Sequence, residues 1–298
     1  MRIAPPLTPD LETRRRLVSE MVRLSLWYVR LLLGQGEITP RDLPQALSRR
    51  VNLYRLTTLW DGIRDPALGH ADPKWARLCG ELARLILAAP AEDTSELEER
   101  GLSLLWPALE GRLPLDVGPP CQRTCGCWTY ELAWEGIADG QGWLGRLFNP
   151  THVAQKVRRS LRLPLAPSRG AILHFENIYT PASPFARKPE LIRTLRDLLA
   201  ECRRQHPSVR TLWGDTWLNS HPAFLALFPG SWKQSGTPSP PGNNFNWWGQ
   251  FVTRTGGFND AAAARFRVSN GRFPYPALLC HASLDAIEEH LRMAGTPL

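Results

Sequence analysis

Apolar residues in the first 115 positions recur at intervals of three and four, which is the period of an amphipathic helix. The clearest run consists of Leu17, Met21, Leu24, Tyr28, Leu31 and Leu32. Further helices are predicted to begin near Thr39, Asp72 and Asp93, where capping residues or prolines precede apolar periods. The pattern therefore predicts a helical region over residues 1–115, built as a small bundle or cap.

After residue 115 the chain alternates between short apolar runs and helical periods. Strands are predicted at 171–179, 208–213, 251–254 and 277–280, and helices at 189–204, 221–228 and 284–292. Such alternation predicts an α+β protein in which a mixed α/β region covers residues 116–298.

Charge and composition limit the class of partner. The chain has 298 residues, a net charge of +8 and 43% hydrophobic residues, which is typical of a folded globular protein. Its arginine clusters stand in helical patterns beside acidic residues, so we interpret them as solvated helix faces and expect no nucleic-acid partner. No apolar run reaches the ~18–20 residues of a membrane span, and the first residues lack the apolar segment of a signal peptide. We expect a cytoplasmic bacterial protein that binds a small molecule; the sequence leaves its oligomeric state open.

Cys121, Cys125 and Cys127 form a C-x3-C-x-C run. Three thiols could bind zinc if Cys79 or His152 supplied a fourth ligand, and they could also form a redox site. Alternatively, they are small residues in a turn. Because the spacing does not complete a ligand set, we expect reduced thiols and no metal.

His174 and Glu176 lie two residues apart in a predicted strand, so alternation places them on one face and Phe175 on the other. An imidazole titrates near neutral pH and a carboxylate can orient it, which makes the pair a candidate for general base chemistry. The alternative is an edge strand whose polar residues face water.

A second cluster follows the next predicted strand and contains Asp215, Trp217, Asn219 and His221. Ligands of open α/β sheets bind at the carboxyl ends of strands, so these residue types indicate a pocket. The alternative is that Asn219 or Ser220 caps the following helix while the indoles fill the core.

Trp247, Trp248 and Gln250 follow a proline-rich loop. Adjacent indoles cannot both point into one strand face, so we expect Trp247 and Gln250 to contact either a ligand or the N-terminal helices. Nucleotide-binding glycine loops, the serine hydrolase elbow and the zincin motif are absent from the sequence, which disfavours those activities.

The segment from Ala171 to about Gly257 resembles the second half of the N-acetyltransferase-like (GNAT) fold, in the order strand, loop, helix, strand, helix, strand. The resemblance implies that the first strand opens toward an acyl-CoA thioester. It also implies that the helix after the loop binds pyrophosphate, here with Arg187 and Lys188 as phosphate ligands. The family's glycine-rich loop is replaced by Pro-Ala-Ser-Pro-Phe. A run from Trp217 to Phe251 also resembles bacterial proteins with no known activity.

Together these patterns predict a small-molecule enzyme of specialised metabolism that transfers an acyl group. His174 and Glu176 are the candidate bases, Asp215 completes the catalytic set, and Asn219 and His221 position the substrate. Trp217, Trp247 and Gln250 are predicted to line the pocket. Two alternatives remain open: a cofactor-independent lyase, isomerase or cyclase, and a non-catalytic binding protein.

Overall fold

The computed structural model describes residues 10–61, 72–110, 123–133, 169–179, 182–239 and 247–294. Its α-helices are α1 (Leu11–Gly34), α2 (Leu43–Gln45), α3 (Leu53–Leu56), α4 (Pro73–Ala88), α5 (Ser95–Leu109), α6 (Lys188–Gln205), α7 (Pro222–Leu225), α8 (Gly230–Gln234), α9 (Asp260–Val268) and α10 (Leu284–Ala294). Its strands are β1 (Arg123–Cys125), β2 (Trp128–Ala133), β3 (Gly170–Phe175), β4 (Thr211–Thr216), β5 (Thr237–Pro238) and β6 (Leu278–Ser283). Short 3-10 turns occur at Pro40–Asp42, Thr58–Asp61, Pro184–Arg187, Trp217–Ser220 and Trp247–Phe251, and a π-helical turn at Ala46–Arg50. The predicted α+β class is confirmed.

The chain divides into two compact units. The α/β unit comprises residues 1–6, 118–240 and 275–298, and the helical unit comprises residues 7–117 and 241–274. The boundary near 117 lies close to the predicted one at 115. The structure corrects the prediction for residues 241–274, which places them in the α/β region. Phe251, Phe258 and Phe266 are buried in the same hydrophobic core as the apolar residues of α1. Long-range aromatic packing, which the local pattern does not reveal, produces this difference.

The helical unit follows the periodicity of its sequence. Asp10 caps α1, because its carboxylate accepts a hydrogen bond from the Thr13 amide at 2.7 Å. Helix α5 packs closely on α1 at Gly101, where a Cβ would lie 2.3 Å from a methyl carbon of Leu26. The apolar stripe of α1 is thereby buried.

The strand predicted at 251–254 is wrong. The backbone forms the 3-10 turn Trp247–Phe251 instead, followed by a single bridge between Val252 and Phe258. Trp248 and Phe251 are both buried, and their spacing of three residues places them on one side of such a turn. Burial of both rings therefore favours the turn over an alternating strand.

A buried ion pair joins α5 to α9. The Glu98 carboxylate accepts hydrogen bonds from the Arg267 guanidinium at 2.9 and 2.8 Å and from the Thr94 hydroxyl at 2.7 Å. The guanidinium also lies 5.0 Å from the ring centroid of Trp27. The pair thus anchors the C-terminal segment of the helical unit to its N-terminal helices.

We expect Glu98→Ala to lower the free energy of unfolding by about 2 kcal/mol, because Arg267 loses both carboxylate contacts in a half-buried position. The control is Glu96→Ala on the same helix. Glu96 and its partner Arg100 are both exposed, so this substitution should lower the free energy of unfolding by less than about 0.5 kcal/mol. Urea denaturation measures the free energy of unfolding of both variants. Equal decreases in the two variants would contradict the anchoring role of Glu98.

The six described strands of the α/β unit form one sheet in the order β1-β2-β3-β4-β6-β5. Strands β3 and β4 are parallel, and the other neighbouring pairs are antiparallel. The β1–β2 hairpin is not among the strands that the sequence predicts. Gly126 makes its turn with a φ of +60°, a conformation that favours glycine.

One face of this sheet is covered by helices. The apolar stripe of α6 packs with inward residues of β2, β3 and β4 and with α7, α8 and α10 in a single core. Ala171 and Leu173 on β3 and Leu212 on β4 belong to it. Because side chains alternate along a strand, Ile172, His174, Trp213 and Asp215 lie on the opposite face. We call this opposite surface the polar face.

Among the described helices, none combines the length and apolar character that crossing a membrane would require.

Candidate functional site

The parallel strands β3 and β4 are paired over only part of their length. Three positions are in register, and the last of them joins Ile172 to Trp213. Each strand then continues for three residues, to Phe175 and Thr216. We call the ends of the two strands that are not paired with each other, residues 173–175 and 214–216, the β3–β4 opening.

His174 and Asp215 lie on either side of this opening. Each stands two residues beyond the paired positions Ile172 and Trp213, so both belong to the polar face at the same level of the sheet. The structure therefore places two candidate residues from different segments of the sequence on one face of the sheet, at the ends of neighbouring strands. The parallel register accounts for this, because it aligns the carboxyl ends of both strands.

Asp215 has the most strongly perturbed carboxyl group of the described α/β unit. Burial raises the pKa of Asp215 to about 6, and a hydrogen bond from the Ser239 hydroxyl partly opposes that rise. Ser239 is positioned by its own amide, which donates to the Ala277 carbonyl at 3.1 Å. A carboxylate that titrates near neutral pH can accept a proton from a substrate.

Two aromatic rings adjoin Asp215 on the polar face. Trp213 and His281 are register partners of β4 and β6, and their rings stack with centroids 4.1 Å apart and an interplanar angle of 14°. Burial lowers the pKa of His281, so the imidazole is neutral at physiological pH. The pair forms a flat, uncharged wall beside the carboxylate.

Sequence reasoning missed both Ser239 and His281. Ser239 stands in the loop that follows β5, where no local pattern distinguishes it from other serines. The sequence contains a weak signal for His281. If the strand predicted at 277–280 is extended by one residue, it includes His281, which lies two residues from Leu279, the register partner of Asp215.

His174 and Glu176 separate in the structure. His174 is half-buried within β3, opposite Thr129 of β2. Glu176 follows the end of β3 and is exposed, and its amide donates to the Cys127 carbonyl at 2.9 Å. The alternation that placed both on one strand face therefore applies only to His174.

Asn219 is buried and its side-chain amide is fully used within the protein. The amide nitrogen donates to the carbonyls of Gly214 and Leu278, both at 2.7 Å, and its oxygen accepts from the Trp232 indole at 3.0 Å. Nor does Asn219 cap the following helix α7, whose N-cap position is His221 and which has no side-chain cap hydrogen bond. Asn219 therefore joins the end of β4 to β6 and α8, and we assign it a structural role.

His221 and Trp217 lie in an aromatic cluster at the carboxyl end of β4. The imidazole of His221 stacks on Phe185 at 5.1 Å and contacts Tyr275 at the same distance, while Trp217 contacts Tyr275 at 5.9 Å. Burial lowers the pKa of His221, so it behaves as a neutral aromatic ring. Phe185 and Tyr275 were not predicted to take part.

Arg187 and Lys188 stand where α6 begins, as the resemblance to acetyltransferases implied. The Arg187 guanidinium lies 4.8 Å from the ring centroid of Tyr179 and 3.5 Å from the Glu190 carboxylate. Lys188 is the first residue of α6 and is exposed.

The remaining candidates belong to the helical unit. Trp247 begins the 3-10 turn there, but its side chain lies outside the described residues. Gln250 is half-buried in the same turn, and Trp248 is buried in the core of that unit. Gln250 and Trp248 therefore belong to the helical unit and not to the α/β unit.

The cysteine run can be described only in part. Cys121, His152 and the side chain of Cys125 lie outside the described residues. Cys127 is a buried free thiol whose pKa burial raises to about 11, and burial raises that of Cys79 to about 12. Within the described ranges, no group of three or more histidine, cysteine, aspartate or glutamate side chains could hold a metal ion.

Comparison of the chain with models of protein families, with curated proteins and with solved structures gives no match. The geometry of the β3–β4 opening is therefore the basis for inferring a function.

Proposed function

We propose that the α/β unit transfers an acyl group from an activated donor to a small amine or alcohol at the β3–β4 opening. One observation carries the proposal: the parallel strands stop pairing after Ile172 and Trp213, and Asp215 stands two residues beyond the last paired position. The resemblance to acetyltransferases implies that the first strand opens toward an acyl-CoA thioester, and the proposal keeps that expectation.

The chemistry requires a base and an activated acyl carbon. The acceptor N–H or O–H attacks the acyl carbon, so that a C–N or C–O bond forms and the bond to the leaving group breaks. Asp215 takes the acceptor proton and then gives it to the departing leaving group, which returns the carboxylate to its ionised form. The step is redox-neutral and needs no metal.

The surroundings of Asp215 suit this role. A carboxyl pKa near 6 makes the anion a stronger base than an ordinary aspartate while leaving it ionised at neutral pH. The stacked rings of Trp213 and His281 offer a flat surface against which an acceptor can be oriented.

The direct test is turnover of S-acyl thioesters with a panel of small amines and alcohols. We expect thiol release that depends on the acceptor, together with an acylated product detected by mass spectrometry. Thiol release that no acceptor accelerates, or an absence of product across the panel, would overturn the proposal.

Ser239→Ala should move the pH dependence of the reaction. The Ser239 hydroxyl stabilises the Asp215 carboxylate, so its removal raises the pKa of Asp215 above the native value of about 6. We expect the acidic limb of kcat/KM to shift to higher pH by about half a unit to one unit.

The matched control is Ser220→Ala, whose hydroxyl donates to the Pro276 carbonyl at 2.7 Å away from Asp215. Its pH profile should coincide with that of the native protein. A Ser239→Ala profile that also coincides would show that Asp215 does not set the acidic limb.

A further inference from the structure

We infer that the helical unit binds a free α-amino acid with an apolar side chain, in a cavity formed by the C-terminal end of α1 and the segment that follows α9. The cavity has a volume of about 320 Å³, and its lining residues come from two stretches of chain, 28–37 and 270–272. Both stretches belong to the helical unit. The inference is therefore independent of the proposed acyl transfer and goes beyond it.

The cavity combines a buried apolar surface with an exposed polar rim. Tyr28 and Leu32 line it from the apolar stripe of α1, and both are buried. Its exposed polar lining residues are Gln35, Glu37, Asn270 and Arg272. Small-molecule sites have this composition and occupy about 300 to 1,000 Å³, so a cavity at the lower end of that range suits a ligand of the size of a single amino acid.

Glu37 provides the contact for the ammonium group of such a ligand. Its Oε2 accepts a hydrogen bond from the Arg50 guanidinium at 2.7 Å, which holds the carboxylate in place, and Arg50 itself does not line the cavity. Within the described ranges the other carboxylate oxygen accepts no hydrogen bond, so it can accept one from a ligand. Glu37 also follows the C-terminal end of the 24-residue helix α1, whose dipole favours a cation.

Arg272 provides the contact for the carboxylate group. Its guanidinium has no acidic partner in the part of the chain that the structure describes, and a guanidinium binds a carboxylate with two parallel hydrogen bonds. The side-chain amide of Asn270, on the same stretch, makes no hydrogen bond to any described residue. It can add a donor to the bound carboxylate.

The backbone fixes this stretch against α1. Asn270 and Gly271 have φ values of +52° and +75°, which form the left-handed turn that ends α9. The Gly271 amide donates to the Phe266 carbonyl at 2.9 Å. A Cβ at Gly271 would lie 2.9 Å from the Tyr28 ring, so only glycine allows the turn to approach α1 this closely. The polar groups of the two stretches are thereby held at the same cavity before a ligand arrives.

These groups match the three parts of an apolar α-amino acid. The carboxylate pairs with Arg272, the ammonium group pairs with Glu37, and the side chain covers the apolar surface of Tyr28 and Leu32. A sugar would leave both charged residues without a counter-charge. A dicarboxylate would bring a second negative charge to Glu37, which disfavours it.

The experiment is isothermal titration calorimetry of the full chain with L-leucine, isoamylamine and 4-methylpentanoate. The amine lacks the carboxylate of leucine and the acid lacks its ammonium group, whereas both keep the side chain. We expect L-leucine to bind and, at millimolar concentration, to raise the melting temperature. Each comparator should bind about tenfold more weakly or worse, because one charge-assisted contact is missing.

Two outcomes of the titrations would overturn the inference. The first is that none of L-leucine, L-valine and L-methionine binds at millimolar concentration. The second is that the amine or the acid binds as tightly as L-leucine, since recognition of both charged ends would then be absent.

Variants locate the binding to this cavity. Arg272→Ala and Glu37→Gln should each weaken L-leucine binding about tenfold or more, and both positions are exposed, so the fold should be kept. The matched control is Arg265→Ala, which removes an exposed arginine of α9 that does not line the cavity and should leave the affinity unchanged. Native affinity in Arg272→Ala, or an equal loss in Arg265→Ala, would contradict the site. Neither readout involves acyl transfer, so a failure here leaves the proposed function intact.

Discussion

Asp215→Asn is expected to reduce acyl transfer by about 100-fold or more while making the α/β unit more stable. The amide keeps the size of the side chain and can still accept from the Ser239 hydroxyl, but it cannot take the acceptor proton. The residual rate should also lose the acidic limb near pH 6, because no carboxyl remains to titrate there.

The stability gain follows from the direction of the pKa shift. The folded-state pKa of Asp215, about 6, lies above its ordinary value of 3.8, so the folded state favours the protonated carboxyl. The stability this group provides is fully present below pH 4 and is lost as the pH rises through 6. The free energy of unfolding of Asp215→Asn should therefore exceed that of the native protein by about 1 to 3 kcal/mol at pH 7, and the difference should vanish near pH 4.

Thermal unfolding across this pH range, together with steady-state kinetics, measures both effects. The matched control is Asp197→Asn on α6, where the carboxylate is exposed beside Arg193. It should change neither activity nor pH profile. A folded Asp215→Asn protein with native kcat/KM would remove Asp215 from the mechanism.

The largest effect on stability is expected from Asn219→Ala. The substitution leaves the carbonyls of Gly214 and Leu278 and the Trp232 indole without the partner that Asn219 provides in a buried position. Unpaired buried polar groups together with the lost packing predict a decrease of about 3 to 5 kcal/mol in the free energy of unfolding. The Trp232 ring also packs closely on β4, since a Cβ at Gly214 would lie 2.9 Å from it.

Two further variants keep this prediction testable if Asn219→Ala does not fold. Trp232→Phe removes one of the three hydrogen bonds. This loss should lower the free energy of unfolding by about 1 to 1.5 kcal/mol, in addition to the small effect of the changed packing. Ser220→Ala, the neighbouring control, loses one exposed hydrogen bond and should cost less than about 1 kcal/mol. Urea denaturation should rank the three variants in this order, and a neutral Asn219→Ala would refute the structural role.

Local signals in the sequence determined the α+β class and most regular elements. Asp72 before Pro73 and Ser283 before Leu284 mark the starts of α4 and α10, and the predicted helix at 189–204 matches α6 within a residue at each end. These features depend on capping and on periodicity over a few neighbouring residues, which a sequence displays directly. The same reasoning placed Asp215 and His174 among the candidate residues.

Tertiary structure alone decided which candidates share a site and what each one does. Ser239 lies 24 residues from Asp215, and the partners of Asn219 lie up to 59 residues from it. Such contacts arise from sheet register and strand order, which depend on packing across the whole unit. For that reason the sequence could indicate only separate groups of polar and aromatic residues on or after two predicted strands. Only the fold could show that the two strands stop pairing before Asp215, that Asn219 is structural, and that 241–274 belongs with the N-terminal helices.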